Sequence, residues 1–322
     1  MTTRRAVLAA ASLPFASLAF TPRHARAWTP DRSIQMIVAF AAGGGTDTAA
    51  RTLARSMEKD LGKPVVVVNR AGAGGEIGWS ELARAKPDGY TIGFTNTPNI
   101  ITVPIERVAR FKFTDFSFIA NIVDDPGGFW VLASSPVQSL ADLIAEAKRR
   151  PGAISYGTTG VGSDDHLAML ALQRATGTQF LHVPFSGSSQ VRTALFSRSL
   201  EVAVVNMGEG LTDWRQGLVR PLGQMGERRW EAAAEVPTFR ELGYDVVEGS
   251  MRGVGAPAGM PADVLDRLAQ AVRFAMADPE FITAARQQQL PLRYLGPADY
   301  QRELEALKRN YEALWAVHPW KE

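Results

Sequence analysis

Ser163 and His166 lie three residues apart in Gly160-Val161-Gly162-Ser163-Asp164-Asp165-His166, a spacing that could pair a nucleophile with a base. A hydrolase needs more than the pair. No G-x-S-x-G elbow, which would raise a serine on a strained strand-to-helix turn, occurs anywhere in the 322 residues. The simpler expectation is that Ser163 caps a helix while His166 faces a cleft or packs beneath it. His182 lies in an apolar, strand-like run and reads as a structural histidine, and Asp164-Asp165 read as acids placed at a helix N-terminus. With four histidines, no cysteine and no H-E-x-x-H, metal chemistry has few ligands, and disulfides and thiol catalysis are excluded. Neither a catalytic residue, a metal nor a cofactor is expected.

Three glycine-rich turns carry more information. Residues 41–47, 71–75 and 157–163 each follow an apolar run and precede a helical one, the position where open α/β sheets bind ligands. A helix start presents unpaired N–H groups and the positive end of a dipole, and glycine lets a guest approach that backbone closely. The guest should therefore be an anion. Phosphate-binding forms of such loops fail on inspection: Gly43-Gly44-Gly45-Thr46-Asp47-Thr48 lacks the third glycine of a dinucleotide fingerprint, and Gly62-Lys63 runs into Pro64 where a P-loop needs Ser or Thr. Asp47 at the mouth of the first turn would also repel a phosphate. A carboxylate held by backbone N–H groups and water fits.

The elements that position these turns alternate strand and helix. Ile34–Phe40 reads as a strand, and Ala49, Ala50, Leu53, Ala54, Met57 and Leu61 recur at helical spacing until Gly62. Strands are then predicted at Val65–Val68 and Tyr90–Thr95 with a helix at Glu76–Ala85 between them. The middle repeats the pattern: helices at Leu140–Arg150, at Asp164–Thr176 and up to Phe196, with strands at Ile154–Tyr156, Phe180–Val183 and Leu200–Val205. Ala262–Ala277, Pro279–Gln288 and Ala298–Ala316 look helical with no strand between them. Strands separated by helices indicate an α/β fold with mainly parallel sheets flanked by helices. Asn121–Val131 and Val246–Val254 combine strand-like residues with glycine and could carry the chain across between two lobes, 28–124 with 250–322 and 125–249, whose crossing strands would act as a hinge.

The chain opens as an export signal. Arg4 and Arg5 precede an apolar, Ala-rich run from Ala6 to Phe20, and Ala25-Arg26-Ala27 offers small residues where a signal peptidase reads, so residues 1–27 are expected to be removed after Ala27 in the periplasm. A lasting membrane span would need roughly 20 apolar residues. The paired arginines suit a twin-arginine signal and an ordinary secretory one alike. Four of the 35 basic residues and none of the 33 acidic ones lie in this leader, so the formal +2 becomes slightly negative once it is gone. Nothing resembles the clustered Lys/Arg of a nucleic-acid footprint.

Taken in order, the motifs resemble the Bug family, the substrate receptors of tripartite tricarboxylate transporters. They are Val38-Ala39-Phe40-Ala41-Ala42-Gly43-Gly44-Gly45-Thr46-Asp47, Val67-Val68-Asn69-Arg70-Ala71-Gly72-Ala73-Gly74-Gly75 and Pro87-Asp88-Gly89-Tyr90-Thr91. Gly160-Val161-Gly162-Ser163 with His166, His182-Val183-Pro184-Phe185-Ser186-Gly187, Val236-Pro237-Thr238-Phe239 and Ala256-Pro257-Ala258-Gly259 complete the series. The resemblance implies a two-lobed, type II periplasmic-binding-protein fold that closes on a small organic acid, works as a monomer and delivers its ligand to an inner-membrane tripartite tricarboxylate-type permease. A ligand-presenting sensor for a two-component system, or an enzyme on the same fold, would be the alternatives. By position, the resemblance assigns ligand contacts to Ala42, Gly44, Asp47, Ala73 and Gly74 in the first lobe, joined by Asn96 and Thr97. In the second lobe it assigns them to Gly160, Ser163, His166, Phe185 and Asn206. Three departures stand out: Phe185 for a common tyrosine, Val205-Asn206 for an Asp-Asn pair, and Met251-Arg252 where an aromatic residue is typical. Less acid and one more cation would disfavour an amine-bearing ligand.

Overall fold

In the computed structural model, residues 28–320 are described, so the expected leader at 1–27 lies outside them. The first sheet begins with the β-branched run of β1 (Ile34–Val38), followed by α1 (Gly45–Leu61), which stops where Gly62 turns left-handed at φ 66° and returns its N–H to Glu58. β2 (Val65–Asn69), α2 (Glu76–Ala83), β3 (Thr91–Asn96) and α3 (Asn99–Glu106) continue the alternation. The long strand β4 (Phe116–Leu132) then leads into α4 (Leu140–Arg149), β5 (Ser155–Thr158), α5 (Asp164–Thr176), β6 (Leu181–Pro184), α6 (Ser188–Phe196), β7 (Val202–Asn206), α7 (Met207–Arg215) and β8 (Val219–Gln224). The chain returns through β9 (Gly249–Pro257) and ends with α8 (Ala262–Ala277), α9 (Pro279–Gln287), β10 (Leu292–Leu295) and α10 (Pro297–Val317).

The strand order is β2-β1-β3-β9-β4-β7-β5-β6, with β8 and β10 also paired to β4. The outer ladders, β1 with β2 and β3 and β5 with β6 and β7, are parallel, as the intervening helices require. The central ladders are antiparallel. β4 runs beside β9 from Phe116↔Pro257 to Pro126↔Gly249, and from Gly127 onward it pairs with β7 and β8 instead. One strand thus belongs to both lobes, and a Cβ on Gly127 would collide with the Met225 methyl at the point of transfer.

Helices cover both faces of each lobe's sheet. Leu53 and Met57 of α1 pack with Leu268 and Val272 of α8 on one face of the first, and Trp79, Ile100 and Tyr300 pack on the other. Leu143 and Met169 fill one face of the second, with Val191 and Leu211 opposite. Each such fully buried large side chain contributes about 1.5–3 kcal/mol. β10 corrects the expectation of uninterrupted helices in the last third. It is antiparallel to β4 through Leu292↔Val123 and Leu295↔Asn121, and its four residues between Pro291 and Gly296 are too few for alternation to register.

Candidate functional site

Successive residues of β9 point to opposite faces, and this separates two hollows beside the crossing strands. Gly249 and Met251, with Asp124 and Pro126 of β4, border an open groove of about 1490 Å³ on one side of the crossing strands. Ser250 and Arg252 face the other side, where the glycine-rich turns meet. Thr97 lies on the groove side, exchanging hydrogen bonds with Met251, on the face of the strands away from the glycine-rich turns.

Arg252 is 2% exposed and sits at the centre of the cleft. Its Nη1 is 3.2 Å from Asp125, its Nη2 is 3.3 Å from Glu209, and Nη2 also donates to Asn206 Oδ1 at 2.8 Å. Asn206 in turn donates to Asp164 at 2.7 Å and to the Asp125 carbonyl at 2.9 Å. Burial raises the Asp125 pKa to about 7 against the pull of Arg252, and raises Asp164 to about 6 against the hydrogen bond from Asn206. Burial, with Asp164 and Glu209 nearby, also holds Asp165 well above the usual carboxylate range. For Arg252 burial works downward, but Glu209, Asp125, Asp164 and Asp165 together outweigh it and raise the pKa. The cleft is nonetheless well supplied with acid: Val205 lacks a carboxylate, and Glu209, four residues on, brings one to Arg252.

The first turn closes over this cluster. Gly45 N–H donates to Glu209 Oε1 at 3.0 Å, and Ser188 Oγ donates to the same oxygen at 2.8 Å. Asn96 Nδ2 reaches Thr46 Oγ1 at 2.7 Å. Across the cleft, Ala41 N–H donates to the Ser186 carbonyl at 3.0 Å and Ser189 Oγ to that of Ala42 at 3.1 Å. The second and third turns also touch, since a Cβ on Gly160 would stand 3.1 Å from Gly74 Cα. The enclosed space is about 20 Å³, room for roughly one water. Among the residues lining it, Asn96 Oδ1, Asn99 Nδ2 and Arg252 Nε are buried without a hydrogen-bond partner. Unsatisfied buried polar atoms are costly, and a site built to hydrogen-bond a guest accounts for them.

Of the expected contacts, Gly44, Asn96 and Asn206 line this space. Ala42 and Ala73 lie exposed at the rim, and Gly74 and Gly160 form the meeting of the second and third turns. Asp47 does not line it. Burial pushes its pKa up, but Arg51, the Gly43 N–H and Asn69 each donate to its carboxylate and bring it below the usual value, which makes it the clamp that shapes the first turn. Ser163 caps α5, its Oγ accepting the His166 N–H at 3.2 Å, so neither partner is arranged as nucleophile and base. Phe185 is half-buried and packs against the core under β5. In this form Asp47, Ser163, His166 and Phe185 hold supporting positions around the cleft.

His166 packs beneath the third turn. Its ring stacks on His182 at 4.3 Å and His182 on Tyr156 at 4.8 Å, while Gly162 N–H donates to His166 Nδ1 at 3.2 Å and Thr158 Oγ1 lies 2.6 Å from His182 Nε2. Burial, aided by His182, lowers the His166 pKa to about 3, and burial lowers that of His182 to about 4. Both therefore favour folding fully above the unfolded value of about 6.5, and that contribution is lost as pH falls toward the folded values. Asp125 and Asp164 slope the other way, losing their contribution as pH rises through about 7 and about 6. His182→Asn should accordingly reduce the acid-induced loss of stability between pH 6.5 and 4.5 by about 2 kcal/mol relative to wild type; urea titrations at the two pH values would show it, and parallel pH profiles would contradict it.

The sequence reading did not include Gly45, Thr46, Asn99, Ser188, Glu209 and Arg252 among the ligand contacts. Arg252 left a signal, because an arginine within a run of small and apolar strand residues must be buried and paired. Glu209 is legible only as the third helical residue after Asn206, a capping-box spacing that says nothing of its partners across the cleft. Among the described residues no cluster suits a metal ion, and no helix is long and apolar enough to cross a membrane.

Residues 49–307 match the tripartite tricarboxylate transporter family receptor. A Cupriavidus necator protein named for the gbd 5' region is 32% identical over 308 residues, covering 95% of this chain and 94% of its own. The protein BugT of Bordetella pertussis is 33% identical over 262 residues, 79% of each chain. Among solved structures, the periplasmic binding protein BugD superposes with a TM-score of 0.85 at 29% identity, covering 91% of this chain and 99% of BugD. An R. palustris protein with adipate superposes at 0.84 and 29% identity, covering 89% of this chain and 97% of that one.

Proposed function

Because this chain belongs to the receptor family of the tripartite tricarboxylate transporters, we propose that it captures one small organic carboxylate between its lobes and delivers it to an inner-membrane permease of that kind, catalysing nothing itself. The observation that carries the reading is the convergence of the α1 and α6 starts with Arg252 on one enclosed point, where the Oε1 of the protein's own Glu209 takes Gly45, Ser188 and Arg252 together. Preorganised N–H groups and a guanidinium in a water-poor cleft are what a carboxylate needs to replace its hydration. The adipate bound by the R. palustris relative supports that ligand class.

Residues 28–124 and 250–322 form one lobe in this reading and 125–249 the other, with β4 and β9 as the hinge. Bending there would close the cleft while widening the groove on the opposite face of the same strands. Export to the periplasm by the 1–27 segment and action as a monomer complete the reading.

The test is calorimetric titration with mono-, di- and tricarboxylates, coupled to small-angle scattering. One acid bound per chain is expected, in a form as compact as the closed structure. Failure of every acid to bind, or appearance of reaction products, would overturn the reading. Co-purification of a tagged receptor with its permease tests delivery, and capture of a sensor kinase instead would redirect it to signalling.

A further inference from the structure

The Glu209 carboxylate is itself held as a ligand would be. Oε1 accepts from Gly45 N–H at 3.0 Å and Ser188 Oγ at 2.8 Å and lies 3.3 Å from Arg252 Nη2, while Oε2 accepts Asn206 N–H of its own helix at 3.1 Å. The first three donors come from separate parts of the fold: the first turn of α1, the first turn of α6 and the crossing strand β9. Two foreign helix starts and a buried guanidinium thus share one oxygen, far more than a capping box requires. The space left beside it, about 20 Å³, takes a single water and not a carboxylate group. Asp125, Asp164 and Asp165 crowd the same arginine, so a second carboxylate entering beside Glu209 would find the guanidinium already shared among acids.

We propose that Glu209 is a resident carboxylate occupying the position of the ligand's own, so that a ligand binds by displacing it from Gly45, Ser188 and Arg252. The proposal rests on the carboxylate-receptor reading above and adds how the site selects. Only an acid that engages all three donors, and satisfies Asn96 and Asn99 as well, outcompetes a carboxylate already tethered there. Until then Glu209 acts as a latch, because its α7 lies beside Ser188 while Gly45 belongs to the opposite lobe.

Glu209→Gln keeps the shape and removes the charge, and Glu209→Ala removes the group. Titration of wild type and both variants with acetate, succinate and adipate should give binding at least about tenfold tighter in the variants, since a competitor for the same donors is gone. Without added acid, scattering should show both variants more expanded than wild type. Unchanged or weaker affinity in the variants would overturn the proposal, weaker affinity meaning that Glu209 accepts a hydrogen bond from the ligand. If none of the three proteins binds any acid, the receptor reading fails separately and the scattering comparison decides: equal dimensions overturn the latch, and expansion of the variants sustains it.

Discussion

Arg252→Met should destabilise the protein by about 3–5 kcal/mol at pH 7, measured as a shift of the urea midpoint at unchanged m-value. The change keeps much of the side chain's volume and removes only its charge and donors. Asp125 is 0% exposed and Asp164 3%, and the guanidinium beside them is the cation that offsets their burial. Without it both must take up protons or remain as uncompensated buried charge. The loss should therefore shrink as pH falls below their raised values of about 7 and about 6. Adding Asp125→Asn to Arg252→Met should restore part of the stability, whereas two independent sites would give additive losses. Carboxylate binding should be absent in both variants. A loss under about 1 kcal/mol for Arg252→Met would mean that the arginine reaches water and does not organise the cleft.

Gly45→Ala should separate closure from folding. Gly45 does not adopt a left-handed backbone, and alanine is a better helix former, so the open protein should tolerate the change within about 1 kcal/mol. With the lobes together, however, the added Cβ would stand 2.5 Å from Glu209 Oε1 of the opposite lobe, whereas the Arg252 side-chain end it also meets lies in Gly45's own lobe and has to swing aside in either form. Atoms that close must move apart, and the cheapest movement is separation of the lobes. Carboxylate affinity should fall by at least about 100-fold, near 2.7 kcal/mol, with a larger radius of gyration and a nearly unchanged melting curve. Equal affinity would show that the first turn does not meet the second lobe in the form that binds.

The outer architecture was legible because local rules govern it. α5 runs from Asp164 to Thr176 as its cap and the following Gly177 require, α1 stops at Gly62, and the parallel strands follow from the helices between them. The two crossings were visible as glycine-bearing, strand-like stretches, although β4 extends to Phe116–Leu132. The centre of the site was not legible in the same way. Gly45, Ser188, Glu209 and Arg252 each have an ordinary local explanation as helix start, cap or paired arginine; only the closure of one lobe on the other brings Gly45 and Arg252 against Ser188 and Glu209. Asn96 and Thr97 show the same limit at its smallest scale, because adjacent residues at the end of β3 serve opposite faces of the crossing strands.

The central claim is that the helix starts and Arg252 form one carboxylate site on one face of β4 and β9. It is tested most directly by following backbone amide resonances of the ¹⁵N-labelled protein during titration with a carboxylate that calorimetry shows to bind. The amides of Gly44, Gly45, Thr159 and Ser188 should shift together and saturate at one acid per chain, while those of Gly226, Arg228 and Arg229 in the opposite groove should follow only through closure and disappear from the response in Gly45→Ala. Saturating shifts centred on Arg228 and Arg229, with Gly45 and Ser188 unmoved, would place the ligand on the wrong face of the strands and contradict the account.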